Sequence, residues 1–245
     1  MGSLFEKWKK GLKKKVHPFC TAIVPAAGKS SRMGGEDKMF APLCGVPVLA
    51  RTLTVLDQAV LVDEIVVAAQ PEKLEEVAAL VSSAGIRKPV VEGGASRAES
   101  VLLAALEANE DVEYLAVHDG ARPLILPEQV DNLIRLGQRT YAVAPAVPVT
   151  DTVKVADLSG LVLSTPDRST LFAVQTPQVF QANLLKAALQ SAIAAEAPLT
   201  DDCSAVERLG KEVYLTPGWR ENIKITTPED LSVAELFLRR REVQA

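Results

Sequence analysis

The run Val24-Pro25-Ala26-Ala27-Gly28-Lys29-Ser30-Ser31-Arg32-Met33, with Lys38 five residues on, holds the residue types that can grip a triphosphate. Small residues let a backbone approach a ligand closely, and successive N–H groups in such a turn form an anion cradle. Arg32 and Lys38 add cations for phosphate oxygens. The pattern is not the P-loop, whose Gly-Lys-Ser/Thr opens a helix at a different spacing. Standing alone, the segment reads equally well as a Gly/Ser connection with solvated cations.

Further clusters carry the same polarity. Gly93-Gly94-Ala95-Ser96-Arg97-Ala98-Glu99-Ser100-Val101 offers close-approach backbone, hydroxyls and a helix start, suited to a base, a ribose or an anion. Its simpler reading is a Gly-rich turn before a capped helix. Asp119, in His118-Asp119-Gly120-Ala121-Arg122-Pro123, would repel phosphates unless a divalent cation stood between them. Mg²⁺ held by one carboxylate and phosphate oxygens suits that arrangement; a turn or helix cap is the alternative. Arg122 can reach phosphate or pair with Asp119, and His118 reads as a packed strand-end residue rather than a base. Lys224 sits in a strand-like run, Asn222–Thr226. Facing inward it needs an anionic partner; facing outward it is an ordinary surface lysine. No G-x-S-x-G elbow and no Cys–His pair is visible. That suits phosphoryl-type transfer, in which positioning and charge neutralisation do most of the work.

These clusters need elements to hold them. Apolar runs at Cys20–Pro25, Glu64–Ala69, Pro89–Glu92, Tyr114–His118 and Tyr141–Val147 predict strands. Helical patterns fall between them at Val48–Asp57, Pro71–Ala84, Ser96–Ala108 and Pro127–Arg139. The alternation predicts an α/β fold with a doubly wound, mostly parallel sheet, Rossmann-like in layout. Ligands in such sheets bind beyond the carboxyl ends of the strands. The clusters at Gly28, Gly93 and His118, and a fourth at Thr150–Lys154, all follow predicted strands, so all four are expected on one edge. Between about Pro148 and Arg168 the pattern becomes a β-hairpin, with Val153–Val155 and Leu161–Leu163 flanking a turn. A lone hairpin is marginal in water, so this arm predicts a second subunit to pack on. Helices near Asn183–Ala195 and Asp202–Leu209, a strand near Glu212–Thr216 and a helix opening at Thr227-Pro228 complete the chain. Residues 1–18 form a basic extension, and 19–245 one domain with an arm at about 148–168.

Composition narrows the function. The 245 residues can bury a substantial core. The net charge of −4 divides unevenly: six lysines against Glu6 make residues 1–20 +5, so the rest is about −9. A body this acidic is not a nucleic-acid surface. Leu4, Phe5, Trp8, Leu12 and Val16 share a face of the extension. It is expected to be disordered or loosely docked and solvated rather than held at an anionic membrane surface, the alternative its basic amphipathic face offers, and without stable membrane insertion. Cys20, Cys44 and Cys203 form no metal-binding spacing with His17 and His118 and read as reduced thiols of a cytoplasmic protein.

Taken together, these segments resemble the 2-C-methyl-D-erythritol 4-phosphate cytidylyltransferases of the non-mevalonate isoprenoid pathway. The match runs from about Thr21 to Arg240. It rests on Pro25–Gly28 with Arg32, Met33 and Lys38, Gly93–Val101, Val117–Pro123, Val149–Lys154, Gln175–Phe180, Thr200-Asp201-Asp202 and Asn222–Thr226. The resemblance implies a nucleotidyltransferase fold, a homodimer with exchanged arms, Mg²⁺, and transfer of CMP from CTP to the polyol phosphate with release of pyrophosphate. It implies Arg32 and Lys38 as the cations at the α-phosphorus, and Asp119 as the metal ligand. Ala26, Ala27, Gly28, Gly94, Ala95, Ser100 and Gly120 would bind the nucleotide. Thr152 and Arg168, from the partner's arm, with Arg122 and Lys224, would bind the acceptor, and Arg168 and Lys224 count among the catalytic groups. Two positions depart from the family pattern: Ser30 replaces a second glycine, and Asp37 stands where Pro or Asn is frequent. A ribitol 5-phosphate cytidylyltransferase shares nearly every motif, but Ala26-Ala27-Gly28 and Ala121 favour the methylerythritol acceptor. A non-catalytic nucleotide-binding dimer is the remaining reading, opposed by the joint presence of Arg32, Lys38, Asp119, Arg168 and Lys224.

Overall fold

The computed structural model describes residues 17–28, 37–83 and 89–244. The apolar run Cys20–Pro25 forms β1, with all but its last residue buried. Its register places Val24 beside Val67 of β4 (Glu64–Ala69) and Ile23 beside Val117 of β6 (Tyr114–Val117), both parallel. Between β1 and β4 lie the short hairpin strands β2 (Pro42–Leu43) and β3 (Val46–Pro47) and helix α1 (Val48–Gln58). A 3-10 turn at Pro71–Lys73 leads into α2 (Leu74–Ser83), and β5 (Val90–Glu92) closes the sheet edge beside β4. Helix α3 (Arg97–Leu106) returns the chain to β6, and α4 (Pro127–Thr140) to β7 (Ala142–Pro148).

Side chains alternate across the sheet as a two-sided strand demands. Ala22, Val24, Ile65, Val67 and Ala116 face α1, α2, α4 and the C-terminal helix. Ile23, Val66, Ala68, Leu115 and Val117 face α3, α5 (Ala182–Ala194) and α6 (Asp202–Arg208). The predicted doubly wound sheet is therefore present, with a separate apolar core on each face.

Beyond β6 the sheet departs from the expected simple march. The hairpin arm, β8 (Val155–Ala156) with β9 (Val162–Ser164), pairs only with itself among the described residues. The chain then runs back antiparallel to β7, first as β10 (Phe172–Val174) and then as β11 (Gln178–Gln181). β11 is wedged between β6 and β7 and is antiparallel to both. Four residues bounded by glutamines carry no periodic signal, so the sequence pattern predicts no strand there. β12 (Tyr214–Pro217) lies parallel on the other side of β7. Asn222–Thr226 is not a strand. Its alternation arises because Ile225 is buried and the N–H of Ile225 bonds the Ala121 carbonyl at 2.8 Å, while Lys224 points the other way. Helix α7 (Pro228–Gln244) follows, its first turn fixed by Asp230, which accepts hydrogen bonds from the Thr226 and Thr227 N–H groups.

Candidate active site

A cleft of about 410 Å³ opens beyond the carboxyl ends of β1 and β6, where the topology requires it. Its walls come from three of the four predicted clusters: Ala27 and Gly28, then Gly94, Ala95 and Ser100, then Asp119 and Gly120. Lys38 and Lys224 complete it. The fourth cluster does not join them. Thr152 and Arg168 stand on the exposed arm, where the Arg168 guanidinium donates to the Thr150 carbonyl at 2.8 Å. Neither lines the cleft of its own chain. Arg32 and Ser30 lie outside the described residues. Ala26 sits beneath the cleft, its N–H committed to the Ala68 carbonyl at 2.7 Å.

The glycine loops are built by close packing. A Cβ on Gly93 would stand 2.8 Å from the Ala27 Cβ, 2.9 Å from Ser100 Oγ and 3.1 Å from the Ala69 carbonyl oxygen, so only glycine fits. The Ala27 carbonyl is held by Gln70 Nε2 at 2.8 Å. Ser96 caps α3 by accepting from the Glu99 N–H, and Glu99 returns the bond to the Ser96 N–H. Ser100 Oγ donates to the Ser96 carbonyl at 2.8 Å and accepts from the Gly94 N–H at 3.1 Å. Both serines are thereby structural parts of the loop, which argues against either as a nucleophile.

Asp119 is the only carboxylate among the described residues that line the cleft. Lys224 Nζ lies 2.9 Å from its Oδ2, Arg122 Nε 3.5 Å from the same oxygen, and Arg97 Nη2 3.5 Å from Oδ1. Burial works toward the neutral acid. Arg97, Lys224 and Arg122 overcome it and hold the carboxyl well below the usual carboxylate range. Asp119 is thus ionised and its position fixed. Arg122 and Lys224 each pair with Asp119, which is one of the two readings of Arg122 and the inward-facing reading of Lys224, and Arg122 does not itself line the cleft. Arg122 also donates to the Asn222 carbonyl at 2.7 Å, which ties the segment bearing Lys224 to the loop after β6.

His118 is fully buried behind Asp119. The Asp119 N–H donates to Thr176 Oγ1 at 3.0 Å, and Thr176 Oγ1 lies 3.0 Å from His118 Nδ1. The threonine hydroxyl therefore donates to Nδ1, and Nε2–H donates to the Arg122 carbonyl at 3.0 Å. The imidazole is neutral; burial pushes its pKa down to about 4. His118 is a brace, as its strand-end position suggested.

Asp37 does not line the cleft; its carboxylate pairs with Lys73 and accepts from the Met39 N–H at 3.1 Å. The cleft is also lined by Arg97, for which the sequence pattern indicates no specific role. Arg97 reaches across to Asp202, Nη1 to Oδ2 at 2.8 Å. Its motif was visible, but the partnership joins helices distant in sequence, and no local pattern reports it. The same is true of Thr176 and Asn222, whose side chain donates to the Thr176 carbonyl at 2.9 Å.

Residues 20–240 match the family model described as IspD: 2-C-methyl-D-erythritol 4-phosphate cytidylyltransferase. A relative of that description from Desulforamulus reducens is 42% identical over 224 residues, covering 90% of this chain and 96% of its own. Another from Nocardia farcinica is 45% identical over 224 residues, covering 90% and 94%. Among solved structures, the 4-diphosphocytidyl-2C-methyl-D-erythritol synthase of Anaerococcus prevotii superposes with a TM-score of 0.77 at 28% identity, covering 90% of this chain and 96% of its own. The 2-C-methyl-D-erythritol 4-phosphate cytidylyltransferase of Thermus thermophilus gives 0.74 at 30%, covering 90% and 99%.

Proposed function

This chain belongs to the 2-C-methyl-D-erythritol 4-phosphate cytidylyltransferase family, and from that premise we propose that the cleft beyond β1 and β6 is where it transfers CMP. The enzyme is a cytidylyltransferase that joins CTP and 2-C-methyl-D-erythritol 4-phosphate into 4-diphosphocytidyl-2-C-methyl-D-erythritol and pyrophosphate. A phosphate oxygen of the acceptor attacks the α-phosphorus of CTP, forming one P–O bond while the bond to pyrophosphate breaks. The observation that carries this reading is Asp119, ionised and paired with Lys224, lining one cleft together with Lys38, Gly28 and Gly94.

Each group has a distinct task. The backbone of Ala27, Gly28, Gly94, Ala95 and Gly120, with Ser100, holds the nucleotide, and Ala26 supports that loop from below. Lys38, with Arg32, neutralises charge as it builds on the α-phosphoryl oxygens. Lys224 exchanges Asp119 for the acceptor phosphate when that phosphate arrives, and Arg122 orients Asp119. No described lining residue is a cysteine or histidine, and Ser96 and Ser100 are committed to the loop, which supports direct attack without a covalent intermediate.

The donor set fits a divalent cation of one kind. Among the described residues no group of three or more His, Cys, Asp or Glu side chains could form an all-protein cage. A single ionised carboxylate beside a phosphate site suits Mg²⁺, which takes one or two carboxylates and completes its shell with phosphate oxygens and water. Asp119 would hold it, and when bound it supplies charge neutralisation along the triphosphate.

The proposed working unit is a homodimer. The arm leaves Val155, Leu158, Leu161, Val162 and Leu163 exposed, and an apolar hairpin of this size marks an interface. Thr152 and Arg168 would reach the acceptor in the partner's cleft. Among the described residues no helix is long and apolar enough to cross a membrane, and the proposed compartment is the cytoplasm.

Pyrophosphate release from CTP and Mg²⁺, with each acceptor in turn, tests the assignment. Release with methylerythritol phosphate at a kcat/KM well above that with ribitol 5-phosphate is expected. The opposite order would transfer the chain to the ribitol activity.

A further inference from the structure

Arg97 stands between two cavities. It lines the catalytic cleft and also a smaller one of about 290 Å³, whose far wall includes Thr200, Asp201 and Asp202. Asp202 is 1% exposed, at the first position of α6. Neither of its carboxylate oxygens has an aligned hydrogen-bond donor among the described residues. Its close charge partner is the Arg97 guanidinium at 2.8 Å, an ion pair by proximity rather than by alignment. The opposite end of the same guanidinium lies 3.5 Å from Asp119.

Two carboxylates therefore compete for one cation. Attraction falls with distance, and the shorter pair lies on the drier side, so Asp202 has the stronger hold. Arg122 and Lys224 have no second carboxylate of this kind among the described residues. A guanidinium released from Asp202 would have one carboxylate left. Its planar fork can take both oxygens of that carboxylate at once.

We propose that Asp202 is a positioning residue for the transfer reaction: it holds Arg97 against the cleft wall, so that Arg97 steadies Asp119 without capping the oxygens that face the triphosphate. The inference rests on reading Asp119 as the cation ligand. It gives the Thr200-Asp201-Asp202 segment a task that does not require contact with either substrate.

Asp202→Asn keeps the shape and removes the charge. Binding of the Mn²⁺–CTP complex to the full-length protein, read by titration calorimetry, is expected to weaken roughly tenfold or more, the usual scale for disturbing the support of a metal ligand. Adding Arg97→Met removes the guanidinium that would collapse onto Asp119, so the double variant is expected to recover most of that loss. Thermal unfolding supplies a second reading. Arg97→Met alone leaves Asp202 buried and uncompensated, so adding Asp202→Asn to it should raise Tm. Wild-type affinity in Asp202→Asn, or a double variant as weak as Asp202→Asn, would overturn the proposal. Asp119→Asn serves as the control: if it binds Mn²⁺–CTP like the unaltered protein, the reading of Asp119 fails, and the positioning role fails with it.

Discussion

At the scale of the residue, Asp119 gains its charge and its orientation from different neighbours. Lys224, Arg122 and Arg97 keep it ionised, while Thr176 and His118 fix its backbone. This arrangement has a pH signature. His118 has a folded pKa near 4 against 6.5 when exposed, so between those values the unfolded chain binds the extra proton. Stability is therefore complete above about pH 6.5 and declines as pH falls toward 4, by up to about 3 kcal/mol. Asp119, held low, adds to the decline at still more acid pH; Asp202, raised by burial against the opposing pull of Arg97, works the other way. Urea midpoints measured from pH 4 to 7 should fall more steeply in the unaltered protein than in His118→Asn. Equal slopes would mean that the imidazole is not the titrating brace.

At the scale of the element, the loops after β1 and β5 act as one packed unit. Gly93→Ala forces a methyl against the Ala27 Cβ and the Ala69 carbonyl oxygen, and backbone cannot yield as a flexible side chain can. A loss of roughly 1–3 kcal/mol is expected, with weaker CTP binding in the same calorimetric experiment; an unchanged affinity would show that the loop does not carry the nucleotide. Ser96→Ala removes the acceptor for the Glu99 N–H and should cost about 1 kcal/mol of stability. These elements also show what sequence could deliver. The first strands and their helices were readable to within a residue or two, because buried parallel strands are continuous apolar runs and each helix has a clear start. The antiparallel β11 was not, since its pairing depends on neighbours on both sides rather than on any pattern within Gln178–Gln181. Asn222–Thr226 imitated a strand because core and cleft lie on opposite sides of it.

At the scale of the whole molecule, the sheet topology gathers three polar clusters into one cleft and sends the fourth away on an arm. The sequence places all four after predicted strands and also marks the last as part of a hairpin arm; what strand order alone cannot show is that the arm carries its cluster away from the cleft of its own chain. The proposed dimer resolves that separation by lending Thr152 and Arg168 to the partner. Leu161→Asp with Leu163→Asp should convert the protein to monomers in sedimentation velocity and reduce activity at least tenfold; active monomers would leave the arm without its proposed role. Dimers mixed from Arg168→Ala and Lys38→Ala chains should recover activity, because one of the two clefts then has both intact groups. Whether charge placed by Lys38 and Asp119 drives transfer in this cleft is decided by kcat/KM for CTP in Lys38→Ala and Asp119→Ala. Each substitution is expected to lower it by roughly 10²-fold or more, as for loss of a group that stabilises charge in a transition state. Turnover at the unaltered rate in either variant would contradict the assignment.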